Sequence, residues 1–228
     1  MARVLVAGDT HCPAMHRNYP RFLEDIWNAW SCDTFVHIGD LADFSAISFH
    51  ERHPSWLSAQ EEIDLAMGQI QELYGLFSKG HVLVGNHDAL PERQARTAGM
   101  PSDLLLPFEE LWQTPKWTYV PQYGRIKIDG VIYQHGDRGR QGQRAAINNA
   151  YDNFAPVVQG HLHSQCYVSW HANDDHRFFA AQTGCGIDYD LLAFEYGRKL
   201  NQNPVLGCCV VLDGKHAVTE IMPMEDYK

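Results

Sequence analysis

The chain has 228 residues, with Lys+Arg 18, Asp+Glu 28 and a formal net charge of −10. Hydrophobic residues at 45% and aromatics at 11% supply enough apolar surface for a packed core, which excludes a disordered chain, and the acidic balance argues against a protein that coats nucleic acid through a basic face. No run of about 18 apolar residues is present, so neither a transmembrane helix nor a membrane partner is expected.

Residues 4–7 are a short apolar run of the kind found in buried parallel strands. The run meets Asp9 too soon for a signal peptide. With six cysteines that form no C-x-x-C pair, reduced thiols and a cytoplasmic location are expected. Phe22, Leu23, Ile26, Trp27 and Trp30 have helical spacing over 19–30, and 35–38 reads as a second strand. Ser58-Ala59-Gln60-Glu61 has the capping-box pattern and opens a helix with Ile63, Met67, Ile70, Leu73, Tyr74 and Phe77 on one face. Residues 82–84 form a third strand. This β-α-β-α-β start predicts an α/β fold with a parallel sheet.

The second half changes character. Strands are expected at 117–120, 125–128 and 131–135, the last two joined by the hairpin signal Asp129-Gly130. A helix follows near 141–151. Further strands are expected at 156–159, 166–170, 177–183, 205–212 and 216–222, the final pair joined by Asp213-Gly214. Strands without intervening helices predict a second, largely antiparallel sheet. No linker, repeat or low-complexity segment breaks the chain, so one domain over 1–228 is expected.

The chemistry gathers where the strands end. Five apolar segments run into Gly8-Asp9-Thr10-His11, Gly39-Asp40-Leu41-Ala42-Asp43, Gly85-Asn86-His87-Asp88, His135-Gly136-Asp137 and Gly160-His161-Leu162-His163. Ligands of α/β sheets bind beyond the carboxyl ends of the strands, so five such ends can converge on one point. Glycine lets the backbone turn tightly there. The donors are carboxylate, carboxamide and imidazole without thiolate. That set suits Mn, Fe, Co, Ni or Zn, and suits neither Cu(I) nor Ca.

The order D-x-H, G-D-x-x-D, G-N-H-D, H-G and G-H-x-H, from Asp9 to His163, resembles the calcineurin-like metallophosphoesterase superfamily. The resemblance implies a four-layer α/β/β/α sandwich, with two mixed β-sheets flanked by helices, and two divalent metal ions, manganese first and Fe, Zn, Co or Ni as alternatives. One metal would be held by Asp9, His11, Asp40 and His163, the other by Asp40, Asn86, His135 and His161, with Asp40 bridging. Such a pair can share a hydroxide that attacks phosphorus in line with the leaving oxygen. His87 would protonate the leaving group or stabilise the transition state, and Asp88 would fix its tautomer. Asp43 and Asp137 are candidate partners for ligand histidines or bound water, or ordinary turn acids.

Three regions could shape specificity. Residues 44–57 carry Phe44, Phe49, His50, Arg52, His53 and Trp56, which either cap the pocket and stack on a base or pack a surface loop. Arg138 and Arg140 are substrate-binding candidates, since guanidinium beside a metal site binds phosphate bidentately; a solvated turn is the alternative. Gln182-Thr183-Gly184-Cys185-Gly186 is expected near the site, with Cys185 as a small packed residue rather than a nucleophile. Phe44 and Asp88 stand where Ser/Thr protein phosphatases of the superfamily carry Arg and Glu, which disfavours that activity. The expected function is hydrolysis of a small or nucleotide-type phosphodiester, possible partners being nucleotides or short nucleic acid. A phosphomonoesterase, a nuclease on short or single-stranded ends and a scaffold that lost catalysis are the alternatives. His37 and His81 read as satisfied core residues.

Overall fold

The computed structural model describes residues 1–49, 55–188, 191 and 203–226. His50, Arg52 and His53 lie outside them.

Six strands build the first sheet. β1 (Arg3–Ala7), β2 (Thr34–His37), β3 (Gly80–Leu83) and β4 (Trp117–Val120) run parallel, and β10 (Gly207–Leu212) and β11 (His216–Ile221) are antiparallel to their neighbours. The order is β11-β10-β1-β2-β3-β4. Five strands build the second: β5 (Arg125–Ile128), β6 (Val131–Gln134), β7 (Val157–Gln159), β8 (Cys166–Ala172) and β9 (Arg177–Thr183), in the order β5-β6-β7-β9-β8. Its centre, β6-β7-β9, is parallel, and only the edge pairs β5-β6 and β8-β9 are antiparallel.

Two expectations are corrected here. The second sheet is mixed rather than largely antiparallel, because α5 (Ala145–Asn153) carries the chain back between β6 and β7, as a parallel crossover requires. The last hairpin does not extend the second sheet but returns to the first, beside β1. The first five residues of β10 are all buried, so the strand needs cover on both faces, and the central place beside β1 provides it.

Alternation along the strands separates the layers. Leu5, Ala7, Phe35 and Val82 pack with Tyr19, Phe22 and Leu23 of α1 (Tyr19–Ala29) and with Ala66, Ile70 and Leu73 of α2 (Ala59–Leu76). The intervening Val4, Val6, Val36, Ile38 and Leu83 meet Val131, Tyr133, Val158, Phe179 and Ala181 of the second sheet. Ile132, Val157 and Ala180 face Ala146 and Ala150 of α5. The result is helices, sheet, sheet, helix: the expected α/β/β/α sandwich. Two further helices, α3 (Leu90–Thr97) and α4 (Phe108–Leu111), carry no periodic signal because they are short and α3 buries little beyond Leu90 and Ala95. No helix among the described residues is long and apolar enough to cross a membrane.

The capping box forms as read. Ser58 N donates to Glu61 Oε2 at 2.9 Å, and Glu61 N to Ser58 Oγ at 3.4 Å. Ser58→Ala removes the side-chain acceptor and is expected to cost about 1 kcal/mol, lowering Tm by about 2–4 °C in a thermal melt followed by circular dichroism.

Candidate metal centre

The turns after β1, β2, β3, β6 and β7 deliver their side chains to one point. Glycine is needed there for close approach. A Cβ on Gly85 would fall on the Asp40 carboxylate, one on Gly160 on Asp9 Oδ1, and one on Gly39, whose φ is +115°, on the His135 ring. His11, Asp40 and His161 themselves have positive φ (48°, 49° and 69°). That conformation is uncommon outside glycine, although Asp and His tolerate it better than most residues, and strained backbone of this kind clusters at functional sites.

Hydrogen bonds orient the imidazoles. His11 Nδ1 donates to Asp43 Oδ1 at 2.7 Å, which leaves its Nε2 lone pair facing His163 Nε2 at 3.2 Å and Asp40 Oδ2 at 3.5 Å. His163 Nε2 lies 3.1 Å from Asp9 Oδ2. His135 Nδ1 can only donate to the Ile38 carbonyl, at 3.1 Å, so its Nε2 lone pair faces Asn86 Oδ1 at 3.1 Å and Asp40 Oδ2 at 3.3 Å. Ligand atoms of Asp9, His11, Asp40 and His163 lie within 4.8 Å of one another, as do those of Asp40, His135 and His161. Asp40 belongs to both groups. A third group, His11, Asp43 and His87, is a hydrogen-bonded relay, because Asp43 Oδ1 accepts from both rings, 2.7 Å from His11 Nδ1 and 3.0 Å from His87 Nδ1.

These donors fit a cation. Imidazole lone pairs, carboxylates and a carboxamide oxygen only accept, and when they converge they repel unless positive charge sits among them. Asp9 Oδ1 is buried without a hydrogen-bond partner among the described residues. Titration tells the same story. Burial pushes Asp40 up, but the charges of His135 and His87 outweigh it and hold the carboxyl well below the usual range. Asp43 is held low against burial by hydrogen bonds from His11 and His87, and Asp9 by His163 and His135. Burial opposes protonation of His87 and His135, yet Asp40 first, with its neighbouring carboxylates, raises both to about 10. Where no cation is bound, protons meet the cluster's demand for positive charge.

A family model for the calcineurin-like phosphoesterases matches residues 2–191. The chain belongs to this family. The family is one of phosphoesterases, and the clustered Asp and His groups of this chain could hold a metal. Among solved structures, the phosphoesterase YfcE of E. coli is similar at 10% identity, over 99% of this chain and 95% of that one, with a TM-score of 0.49. Vacuolar Protein Sorting 29 from Cryptosporidium parvum is similar at 13% identity over 97% of each chain, with a TM-score of 0.48. Pseudomonas putida nuclease MPE gives 14% identity over 78% of this chain and 71% of that one, with a TM-score of 0.34. No curated protein sequence matches the chain.

In this family member the expected partner of His87 is corrected. Asp88 does not touch the His87 ring; its carboxylate accepts the backbone N–H groups of Leu41, Ala42 and Gly85 at 3.2, 2.9 and 2.9 Å. It ties the β2 and β3 turns together, and burial together with the charge of Asp40 raises it to about 6. The partner is Asp43, three residues after Asp40, through its carboxylate and its carbonyl at 2.9 Å. The two arginines have surface partners of their own. Arg140 pairs with Asp152 at 2.9 Å on the exposed surface, and Arg138 donates to the Tyr123 carbonyl at 2.9 Å. Each guanidinium has one such partner on the exposed surface, where the turn after Gly136 leads on to α5. Asp137 accepts from Gln122 Nε2 at 3.0 Å rather than from a ligand histidine.

His37 is satisfied in the core, 3.0 Å from Thr10 Oγ1, whereas His81 is only partly buried and its Nδ1 has no partner among the described residues. Cys185 is fully buried, and burial pushes its thiol far up, which suits packing rather than nucleophilic attack. Phe44 is buried against Trp112, while Phe49 is 53% exposed.

Sequence reading missed a row of glutamines behind the site. Gln134, Gln159 and Gln182 stand in register on β6, β7 and β9. Gln182 donates to the Gly160 carbonyl, and Gln159 Oε1 accepts from Gln134 and Asn149 at 3.2 and 2.9 Å. The signal was a polar residue ending each of three apolar strands or nearly so.

Gly85→Ala should push the Asp40 carboxylate out of place. Overpacking costs about 1–3 kcal/mol, and a displacement near 1 Å at a reacting centre can cost about 10²-fold. Metal titration followed by calorimetry is expected to show affinity reduced at least about tenfold.

Proposed function

We propose that this family member is a metal-dependent phosphodiesterase for a small or nucleotide-type substrate. Two divalent cations, manganese favoured, would be held by Asp9, His11, Asp40 and His163 and by Asp40, Asn86, His135 and His161. One observation carries the reading: acceptor groups converge from five turns with Asp40 common to both groups. When bound, the cations supply a nucleophilic water at neutral pH and neutralise the phosphoryl oxygens.

The chain's own residues do the rest. His87 Nδ1 is pinned to Asp43, so its Nε2 edge is the one left for the leaving group. Asp40 and Asp43 favour its charged form, which can donate. As water oxygen bonds to phosphorus it releases a proton to solvent, the P–O bond to the leaving group breaks with its electron pair, and the His87 proton passes to the departing oxygen.

The test loads the protein with manganese and compares bis(p-nitrophenyl) phosphate with p-nitrophenyl phosphate. A kcat/KM at least tenfold higher for the diester is expected, with two metals per chain by elemental analysis. A preference for the monoester would overturn the diester assignment.

A further inference from the structure

A small cleft opens beside the candidate centre, lined by Ser48, Phe49, Asn86, His87, Leu90 and Arg93. Asn86 and His87 belong to the centre. The other walls come from the turn after the 3-10 segment Ser45–Ile47 and from α3, two segments with no role in the site as described so far.

These walls are built rather than loose. Glu62 is 2% exposed and accepts Ser45 N at 2.8 Å, Ala46 N at 3.0 Å and the Ser45 hydroxyl at 2.5 Å. Trp56 Nε1 donates to Ser45 Oγ at 2.8 Å. Gln94 on α3 donates to the Ile47 carbonyl and locks the two walls together. Phe49 is thereby held at the cleft mouth, with more than half its surface exposed.

Arg93 lies over the Phe49 ring, its guanidinium carbon 5.0 Å from the ring centroid. On the same helix Arg96 pairs with Glu92. Among the described residues no carboxylate pairs with Arg93. An exposed aromatic side chain with a guanidinium over its ring is a combination on which planar rings stack. It borders His87, the residue placed to protonate the departing oxygen.

We propose that Phe49 and Arg93 form a subsite for the aromatic ring of the leaving group, so that the preferred phosphodiester releases a nucleoside or another aromatic alcohol. This rests on the phosphodiesterase reading for the direction of the substrate, while the ring-binding surface stands on its own geometry. The ring stacks on the exposed surface of the Phe49–Arg93 pair, and the pair orients the departing oxygen toward His87.

The test uses the full chain loaded with manganese, with Phe49→Leu and Arg93→Met as variants. Adenosine and phenol probe the cleft in calorimetric titrations, inorganic phosphate probes the metal centre, and bis(p-nitrophenyl) phosphate reads turnover. Each variant is expected to weaken adenosine binding and to lower kcat/KM about tenfold, the scale of one lost base–aromatic stack, with metal content and phosphate affinity unchanged. Weaker binding of adenosine with phenol unaffected marks a nucleoside site; weaker binding of both marks a general aryl site. Unchanged adenosine and phenol binding in both variants, or no binding to the wild type, overturns the subsite. Should the wild type cleave no diester yet bind adenosine through Phe49 and Arg93, the subsite stands and the phosphodiesterase reading falls.

Discussion

Asp40→Ala is expected to empty both cation positions. Asp40 Oδ2 lies 3.5 Å from His11 Nε2 and 3.3 Å from His135 Nε2, so one carboxylate serves both groups. Its other oxygen accepts His87 N at 2.8 Å. Removing it takes a shared anionic ligand from each position and frees the turn that carries His87. Metal ions contribute several kcal/mol to phosphoryl transfer, and each 1.36 kcal/mol is tenfold in rate, so turnover should fall by about three powers of ten or more. Ala at the positive φ of this residue costs about 1 kcal/mol in addition. Asp40→Asn, which tolerates that backbone, separates loss of metal from loss of fold. Elemental analysis decides: both variants should retain their circular dichroism and lose metal, and full occupancy would remove Asp40 from the shared position.

His87→Ala has the opposite signature. The ring shares Asp43 with His11 and packs edge-on against the His11 ring at 4.4 Å, yet it lines the cleft, and His11 keeps its own 2.7 Å bond to Asp43 without it. Metal content should remain at the wild-type level while turnover falls about 10²–10⁴-fold, the range for loss of a positioned proton donor. The alkaline limb of the pH–rate profile should change as well. A donor must be protonated, so wild-type kcat falls as pH rises through its pKa, and the variant should lack that limb. Full activity toward bis(p-nitrophenyl) phosphate in the variant would assign proton donation elsewhere.

Asp43 and Asp88 show where residue order misleads. Asp88 follows His87 directly, and adjacency makes it the natural partner. In a tight turn, however, successive side chains point apart, and the Asp88 carboxylate is drawn inward by three backbone N–H groups that need an acceptor. Asp43 is 44 residues from His87 in sequence and reaches it because β2 and β3 are neighbours. Arg138 and Arg140 meet unforeseen partners for a related reason. Sequence distance from His135 is short, but Gly136 turns the backbone and the guanidiniums find Tyr123 and Asp152 instead. Arg93 and Phe49 carried no joint signal, since their meeting depends on Gln94 and Glu62 docking one segment on the other.

What local physics controls was legible in the order of residues. Short apolar runs placed the strands, Asp-Gly pairs placed two hairpins, Ser58 opened α2, and glycine-bounded turns loaded with Asp, Asn and His marked the strand ends where chemistry gathers. Those features depend on backbone conformation and side-chain type within a few residues. The partners came from the packed fold: that β10 returns beside β1, that Asp43 rather than Asp88 holds His87, and that a cleft walled by Phe49 and Arg93 lies against them. Each of these depends on which buried strand needed cover and which buried acceptor needed a donor, and such needs are met by whatever the packed layers bring near.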